Sequence, residues 1–407
     1  MHKSLLFYLL FLPAMLCAQE STWKVKAKFT GLPGNHIMPF AIGDYGYALS
    51  SWFFDQNINK RLYRYDPLTN TWAPRSNFPG PHRGYAVSLS YKGKGYIGFG
   101  AGANDNLNDL WEYDPDANTW KELPNCPCDG RLHPAFVALD DKIYVGMGGN
   151  QNGDLDDWWV YDLPTQSWSQ KAKLPAPKRH HPYYFALGQY AYVGFGHSGA
   201  NIYADFYQYD PSTDTWKRKP DIPGSGRVAG TQFDHNGKGY VVSGQDTTHR
   251  YNLTEFWEYN PASEKWAQLP DVFEGRWAPG AFVVGNTAYI LGGDDENGVK
   301  KGDLWAYTFP ETTSTPNLFS GEKLQVYPNP SPEGHFNLDI SLPTSGALQL
   351  ELRNAEGKIR AVRTYDLPQG RHLLPFQENA LEPGLYYLRL KTANRLQMAK
   401  IVVNGQR

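Results

Sequence analysis

Tyrosine recurs along this chain at an almost constant interval. One set keeps steps of 49, 48, 48, 48 and 49 residues: Tyr47, Tyr96, Tyr144, Tyr192, Tyr240 and Tyr289. A second set, inside segments such as LWEYDPDANTW, keeps steps of 48, 48, 48, 50 and 48: Tyr65, Tyr113, Tyr161, Tyr209, Tyr259 and Tyr307. Because a repeat of this length is one supersecondary unit that buries its apolar face against its neighbours, the period predicts an array of stacked, equivalent units.

Each repeat contains the pattern of four short strands. The second copy reads PHRGYAVSLSYKGKGYIGFG and then NDLWEYDPDANTWKELP. The first strand follows the arginine, the second carries the first tyrosine and ends in glycines, the third is LWEYDP, and the fourth begins at the tryptophan. An aromatic content of 15% with 40 Gly and 30 Pro agrees with short strands joined by tight turns. The sequence therefore predicts an all-β chain whose repeats form a β-propeller.

The number of blades follows from the tryptophans that open the fourth strands. Five repeats have one and the sixth does not: Trp72, Trp120, Trp168, Trp216 and Trp266. Trp23, in the stretch STWKVKAKF before the first repeat, supplies the missing residue. We expect this stretch to pair with strand 303–309, so that the two ends of the propeller close one blade and leave no open edge. Six blades follow.

The repeat resembles the kelch family, whose units run to about 50 residues with paired glycines, a tyrosine in the third strand and a tryptophan at a fixed offset. The resemblance covers roughly residues 23–310. The glycine pair departs from the family pattern in places: it reads GFG at Gly98–Gly100 and Gly194–Gly196, MGG at Met147–Gly149, and is absent around Ser50. The resemblance implies a six-bladed kelch propeller, assigned here to residues 19–310.

The N-terminus has the pattern of an export signal. Lys3 precedes an apolar run from Leu5 to Leu12, and Leu16-Cys17-Ala18 precedes Gln19. We assign residues 1–18 to a signal peptide cleaved after Ala18. The alternative, a lipidated Cys17, is disfavoured because such sites want a small residue where Leu16 stands. No later run approaches the roughly 18 apolar residues of a membrane span, and a net charge of −2 argues against nucleic acid as a partner.

The kelch period ends near Leu318. Residues 311–320 read as a linker, and residues 321–407 as a small immunoglobulin-like β-sandwich, because apolar and polar residues alternate on both sides of the turn NAEGK. YPNP, PGLYYLRL and the terminal KIVV together resemble the C-terminal sorting domain of the Bacteroidetes type IX secretion system. The resemblance implies that residues 321–407 contact this machinery, that the protein crosses the periplasm, and that it is then secreted or held on the outer-membrane surface. An ordinary accessory sandwich is the alternative.

The connections between strands predict one binding face. Long, variable segments such as GNQNGDLDD and HSGANIYAD follow the second strand, whereas the opposite face has short turns such as YKGKG. The long segments and the connections between blades lie on the same face, so we expect binding on this loop-rich face. Thirteen residues before the second-strand tyrosine stands an arginine in five repeats, with Gly34 in the first: Arg83, Arg131, Arg179, Arg227 and Arg276.

The arginines have two interpretations. Five guanidiniums crowded at the channel mouth would hold a carboxylate or an acidic sugar bidentately. The favoured interpretation is structural pairing with the acid that opens each third strand, because buried cations need partners: Asp109, Asp157, Asp205, Glu255 and Asp303. The first repeat lacks both members, which agrees with pairing.

Further candidates for ligand binding lie on the same face. His133 and His181 stand two residues after the arginine, and His36 has the same position in the first repeat. Because His36 is expected across the ring from His181, neither a metal nor another cofactor is predicted. Several aromatic residues fall outside the repeat and would stack on sugars or anchor a protein, or else pack the loops together: Trp52, Phe53, Tyr203, Tyr251 and Trp277.

Enzyme signatures such as a GxSxG elbow, an HExxH helix or a phosphate loop do not occur, so no catalytic residue is assigned. The sequence favours an exported binding propeller for a glycan or protein ligand. One alternative is an enzyme resembling a sialic-acid mutarotase or epimerase, with an arginine holding the carboxylate and a histidine or acid moving a proton. Another is a structural protein of surface assembly. Cys126 and Cys128 are expected to be reduced thiols, with a disulfide as the alternative.

Overall fold

The structure is a computed structural model that describes residues 23–51, 60–250, 252–310, 325–332, 334–342, 345–354, 358–378, 381–392 and 395–404. The predicted signal peptide and linker, and the candidates Trp52, Phe53 and Tyr251, lie outside the described residues. The described residues form two compact units, one within residues 1–310 and the other within residues 311–407. Their regular elements are all β-strands. No helix among them has the length and hydropathy needed to span a membrane.

The strands of the first unit are mostly five residues long. They are β1 (Trp23–Lys26), β2 (Met38–Ile42), β3 (Tyr45–Leu49), β4 (Arg61–Asp66), β5 (Thr71–Asn77), β6 (Val87–Tyr91), β7 (Lys94–Gly98), β8 (Leu110–Asp114), β9 (Thr119–Leu123), β10 (Ala135–Leu139), β11 (Lys142–Gly146), β12 (Gly149–Asn150), β13 (Gly153–Asp154), β14 (Trp158–Asp162), β15 (Ser167–Lys171), β16 (Tyr183–Leu187), β17 (Tyr190–Gly194), β18 (His197–Ser198), β19 (Asn201–Ile202), β20 (Phe206–Asp210), β21 (Thr215–Lys219), β22 (Thr231–His235), β23 (Lys238–Val242), β24 (Phe256–Asn260), β25 (Lys265–Leu269), β26 (Gly280–Val284), β27 (Thr287–Leu291) and β28 (Leu304–Thr308).

These strands form six antiparallel four-stranded blades. In order they are β2-β3-β4-β5, β6-β7-β8-β9, β10-β11-β14-β15, β16-β17-β20-β21, β22-β23-β24-β25 and β26-β27-β28-β1, with β12-β13 and β18-β19 as extra hairpins. In the sixth blade the outer strand is β1, whose Trp23 lies opposite Tyr307 of β28. The first unit is thus the six-bladed propeller that the repeat predicts, and a strand from before the first repeat completes its last blade.

The tryptophan of each fourth strand explains the constancy of the period. In four of the five repeats that carry it, its indole N–H donates to a backbone carbonyl that directly follows the fourth strand of the preceding blade: Trp72 to Ala27 at 3.1 Å, Trp168 to Pro124 at 2.7 Å, Trp216 to Ala172 at 2.7 Å and Trp266 to Pro220 at 3.1 Å. Trp120 is the exception, because its Nε1 is buried without a hydrogen-bond partner among the described residues. Trp23 does the same for the sixth blade, donating to Pro270 at 3.2 Å. Because each hydrogen bond joins equivalent positions of neighbouring blades, the tryptophans must keep the repeat spacing.

Two sets of connections form the loop-rich face. The segment between blades and the segment between the second and third strands pair with each other through backbone bridges, as in Leu132↔Gly149, His180↔His197 and Trp277↔Asp294. The connection between the second and third blades also contains Cys126 and Cys128, which are buried and joined by a disulfide. The expectation of reduced thiols is therefore wrong. An exported chain is in a compartment where such a bond persists.

The second unit is a two-sheet sandwich. Its strands are β29 (Gln325–Tyr327), β30 (Ser331–Pro332), β31 (His335–Leu342), β32 (Gly346–Asn354), β33 (Ile359–Leu367), β34 (Gly370–Gln377), β35 (Gly384–Thr392) and β36 (Arg395–Asn404). The sheets have the orders β29-β31-β34 and β30-β36-β35-β32-β33. Alternate residues from both sheets, such as Leu338, Leu350, Phe376 and Leu388, form one buried core. This period of two is the pattern that predicted a sandwich from the sequence.

Candidate functional site

The first strands of the six blades line a central cavity of 440 Å³. Its walls mix apolar residues with polar groups such as Ser88, Thr231 and Gln232. At the end next to the loop-rich face the cavity meets His36, His133 and His181, each two residues before the first strand of its blade. Channel and loops therefore meet at one mouth, and the candidate site is built around it.

A belt of six equivalent residues forms this mouth. All have a left-handed backbone, with φ between 47° and 56°: His36, Tyr85, His133, His181, Ala229 and Ala278. Backbone N–H groups of the belt donate to the belt carbonyl of the preceding blade, as from His36 to Ala278 at 2.8 Å and from His133 to Tyr85 at 3.0 Å. Two of the six residues are alanines with the same conformation, so the left-handed backbone is required by the fold at these positions and does not by itself indicate a functional residue. The belt positions differ only in their side chains, so the chemistry of the belt depends on those side chains.

The three belt histidines meet at the centre of the mouth. His36 Nε2 lies 2.9 Å from His181 Nε2. The ring of His133 stacks on that of His181 with 3.3 Å between centroids. His36 does lie across the ring from His181, in the first and fourth blades, but the belt is narrow enough for imidazoles from opposite sides to touch. The position of His36 across the ring from His181 is therefore no argument against a metal site.

Three further histidines extend this cluster to the surface. His180 and His197 are paired by their backbones, and their rings are 4.0 Å apart. His249 contacts His197 with 5.1 Å between ring centroids. Sequence reasoning compared only the equivalent belt positions and so missed these three. The signals that could have revealed them are the His180-His181 doublet and single histidines in two of the long loops. We call these six residues the histidine cluster.

Hydrogen bonds at Nδ1 orient three of these rings. His180 Nδ1 lies 2.6 Å from Asp154 Oδ1, and His197 Nδ1 lies 3.2 Å from the carbonyl oxygen of Gly199. Both partners only accept, so each Nδ1 carries a proton, and the lone pair of the neutral ring is on Nε2. His36 Nδ1 donates in the same way, at 2.9 Å, to the amide oxygen of Asn35. The amide nitrogen of Asn35 donates to Asp294 at 2.7 Å, which leaves that oxygen to face His36.

Four imidazoles of the cluster have a lowered pKa and are neutral at physiological pH. Burial lowers the pKa of His36 to about 3 and that of His197 to about 4. Burial, followed by neighbouring imidazoles, also holds the pKa of His133 and of His181 well below the ordinary value. Neutral imidazoles are the form that accepts hydrogen bonds or binds metals.

Several nitrogens of the cluster have no partner among the described residues. Both ring nitrogens of His133 and the Nδ1 of His181 are buried without a hydrogen bond. Most buried polar atoms in proteins are paired, and each exception calls for an explanation such as an ion, a ligand or water. In the histidine cluster these exceptions coincide with the mouth of the cavity.

The five arginines lie elsewhere. Each is at most 2% exposed, and none is among the described residues that line the cavity. Each pairs instead with the acid that opens the third strand of its own blade: Arg83 with Asp109, Arg131 with Asp157, Arg179 with Asp205, Arg227 with Glu255 and Arg276 with Asp303. The favoured interpretation of structural pairing is therefore the one that the structure shows, and the guanidiniums do not crowd the channel mouth.

The third blade shows why the sequence builds these pairs. Arg131 donates to both carboxylate oxygens of Asp157, at 2.5 and 2.9 Å, and to the carbonyl of Met147 at 3.1 Å. Trp159 Nε1 binds the same carboxylate at 2.8 Å. A Cβ at Gly146 would lie only 2.2 Å from the carbonyl oxygen of Asp157, so the glycine at the end of the second strand permits this approach.

The described aromatic candidates divide between these two environments. Trp277 is partly buried at the mouth, where its ring meets His36 edge-on at 4.9 Å and lies 6.3 Å from His181. Tyr203 instead lies over Arg179, with 4.4 Å between the guanidinium carbon and the centroid of the Tyr203 ring. Trp277 therefore belongs to the site, whereas Tyr203 covers an ion pair.

Comparisons with known proteins agree with both units. The family model of the KLHDC2/KLHL20/DRC7 Kelch-repeats domain matches residues 55–229, and that of the secretion system C-terminal sorting domain matches residues 325–404. A solved structure titled "Structure of YjhT" is similar with a TM-score of 0.58 and 18% identity, covering 70% of this chain and 95% of that one. At this identity the likeness concerns the fold alone. No curated protein matches the sequence significantly.

Proposed function

Since the chain is a kelch-repeat β-propeller with a type IX secretion sorting domain, we propose that it is a binding protein that recognises a glycan at the mouth of its channel. The sorting domain directs it to the cell surface or outside, where glycans are abundant ligands. The same surface also offers protein ligands, which are the alternative occupant of the mouth.

The observation that carries this proposal is the position of Trp277. Its ring lies beside His36, which lines a 440 Å³ cavity, and it comes from a connection that pairs with the loop of Asp294. Around it stand the amide of Asn35, the carboxylate of Asp294 and neutral imidazoles. A concave site that combines an aromatic face with a few oriented polar groups suits a sugar ring, whose faces are apolar and whose edge is rich in hydroxyls.

A glycan array probed with the secreted protein tests this. We expect binding to one glycan class, reduced at least about tenfold by Trp277→Ala, as for a central aromatic anchor. Phe273→Ala is the matched control, because this exposed ring comes from the same connection but contacts Trp305. Equal binding by Trp277→Ala and the wild type would contradict the proposal. An empty array together with a stable protein partner in pull-downs would favour the protein alternative.

An enzyme acting on an acidic sugar is the second candidate, and the Asp154–His180 pair favours it. A carboxylate that fixes the tautomer of an imidazole, at 2.6 Å here, is the arrangement of a general base. The five arginines that would hold the substrate carboxylate are committed to ion pairs, which is why binding is preferred. Anomer exchange of sialic acid followed by NMR decides between them. We expect the uncatalysed rate, and an acceleration that His180→Ala abolishes would replace the binding proposal.

A further inference from the structure

We propose that His180, His181 and His197 bind a divalent transition-metal ion of the zinc type at the outer side of the mouth. One ring nitrogen of each residue lies within 4.8 Å of the others. Zinc–imidazole bonds of about 2.0–2.1 Å place ligand nitrogens roughly 3.3 Å apart in a tetrahedron, so a shift of about an ångström per ring closes the site. Side-chain rotation supplies a movement of that size.

The ligands come from paired backbone segments, which holds them in place. His180 and His197 exchange both backbone hydrogen bonds, at 3.0 and 3.1 Å, so their side chains project from adjacent positions. His181 follows His180 directly and belongs to the belt. Three protein ligands would leave a four-coordinate zinc ion one position for water or a ligand group.

The outer shell has the pattern of a metal site. Metal-binding histidines almost always donate their second N–H to a carboxylate or a backbone carbonyl, which fixes the tautomer and raises the basicity of the ligand nitrogen. His180 donates to Asp154 and His197 to Gly199, as described above. Gly149 permits the first of these contacts, because a Cβ there would lie 2.9 Å from Asp154 Oδ1. Two of the three ligands therefore present an oriented Nε2 lone pair.

The third ligand is oriented by a different contact. His36 uses Nδ1 to donate to Asn35, so its Nε2 accepts from the Nε2–H of His181. His181 then carries its lone pair on Nδ1, which is buried without a partner. This assignment leaves one uncoordinated donor atom on His181, as the proposed site requires.

The chemistry of the ligands selects the class of metal. Neutral imidazoles suit Zn²⁺, Cu²⁺, Ni²⁺ and Co²⁺, whereas Mg²⁺ and Ca²⁺ prefer oxygen ligands. The second possible triad, His36, His133 and His181, is disfavoured because His36 and His181 already use their facing nitrogens on each other.

The test is metal binding by the full-length protein without an affinity tag, stripped with a chelator. After addition of Zn²⁺ and desalting, elemental analysis should find one equivalent per chain, and Co²⁺ should give the intense visible bands of a four-coordinate site. We expect His181→Ala and His197→Ala to abolish retention. His235→Ala, which alters a histidine held by Asn286 away from the cluster, should leave retention unchanged.

Asp154→Asn guards against variants that fail to fold, because it leaves all three ligands in place. The loss of its carboxylate should lower the zinc affinity by about 10–100-fold. Failure of the wild type to retain zinc would overturn the proposal. Retention lost in His36→Ala but kept in His197→Ala would also overturn it, by moving the ion to the belt. This proposal does not rest on glycan recognition. If the protein bound a glycan through Trp277 but retained no zinc, the metal proposal would be wrong and the proposed function would stand.

Discussion

Replacing Arg131 by methionine is expected to destabilise the propeller by about 3 kcal/mol. The side chain is fully buried, and its guanidinium donates four hydrogen bonds to Asp157, Met147 and Asp129. Methionine fills the space of the aliphatic stem but leaves a carboxylate and two carbonyls without their donor. Breaking a buried pair from one side costs roughly 3–5 kcal/mol. The lower end applies, because the side chain of Asp157 is 24% exposed and keeps its bond from Trp159.

Thermal and urea unfolding measure this loss. For a domain of this size, 1 kcal/mol corresponds to about 2 °C, so the midpoint should fall by about 6 °C. Arg218→Met is the matched control, because the side chains of the Arg218–Asp221 pair are 60% and 44% exposed and the midpoint should not change measurably. Arg131→Met combined with Asp157→Asn should be more stable than Arg131→Met alone, since the uncompensated charge is gone.

One result would refute the reasoning. If Arg131→Met unfolded at the temperature of the wild type and yet lost glycan binding, Arg131 would be a ligand contact. Loss of stability with binding retained in the folded fraction is the outcome that the structure predicts. The experiment thus separates the two interpretations that the sequence left for all five arginines.

Three further predictions concern the cluster and the ends of the chain. Gly149→Ala should weaken zinc binding, because its Cβ displaces Asp154, and a titration showing unchanged affinity would contradict this. In metal-free protein, the free energy of unfolding should fall as the pH drops below about 6.5, because imidazoles of the unfolded chain then bind protons that the buried imidazoles of the folded cluster do not. Burial lowers the pKa of His36 to about 3, so this loss of stability continues to acid pH. His36→Gln should flatten the fall of the thermal midpoint with pH, so a slope equal to that of the wild type would count against this prediction. Mass spectrometry of the secreted form should find an N-terminus at Gln19 and a C-terminus near residue 320, as the assigned domain bounds require; retention of residues 1–18 would contradict the signal peptide.

Much of the propeller could be predicted because its interactions repeat. The indole of Trp216 reaches Ala172 in the preceding blade, and the same bond recurs at Trp168 and Trp266. A residue that must contact the equivalent position of the neighbouring blade has to keep the same place in every repeat, so the period of the sequence predicts this contact. The arginine–acid pairs are visible for the same reason, since Arg131 and Asp157 both keep the register of their blade.

No repeat period in the sequence predicts the contacts of the histidine cluster. His36 and His181 are 145 residues apart and meet only because the belt closes to a small radius. The repeat shows that both face the channel, but the distance across it depends on the left-handed backbone of the belt and on its hydrogen bonds between blades. His197 comes from a loop outside the repeat, so no period could place it beside His180.

The sequence by itself determined the all-β class, the six blades, the strand from before the first repeat that closes them, and the sandwich that follows. These features depend on local alternation and on contacts that recur at a fixed interval. Only the tertiary structure decided that the arginines are buried in ion pairs, that Cys126 and Cys128 are bonded, and that histidines from several blades share one mouth. Those features depend on distances across the ring, which are set when all six blades close and which a pattern along the chain does not contain.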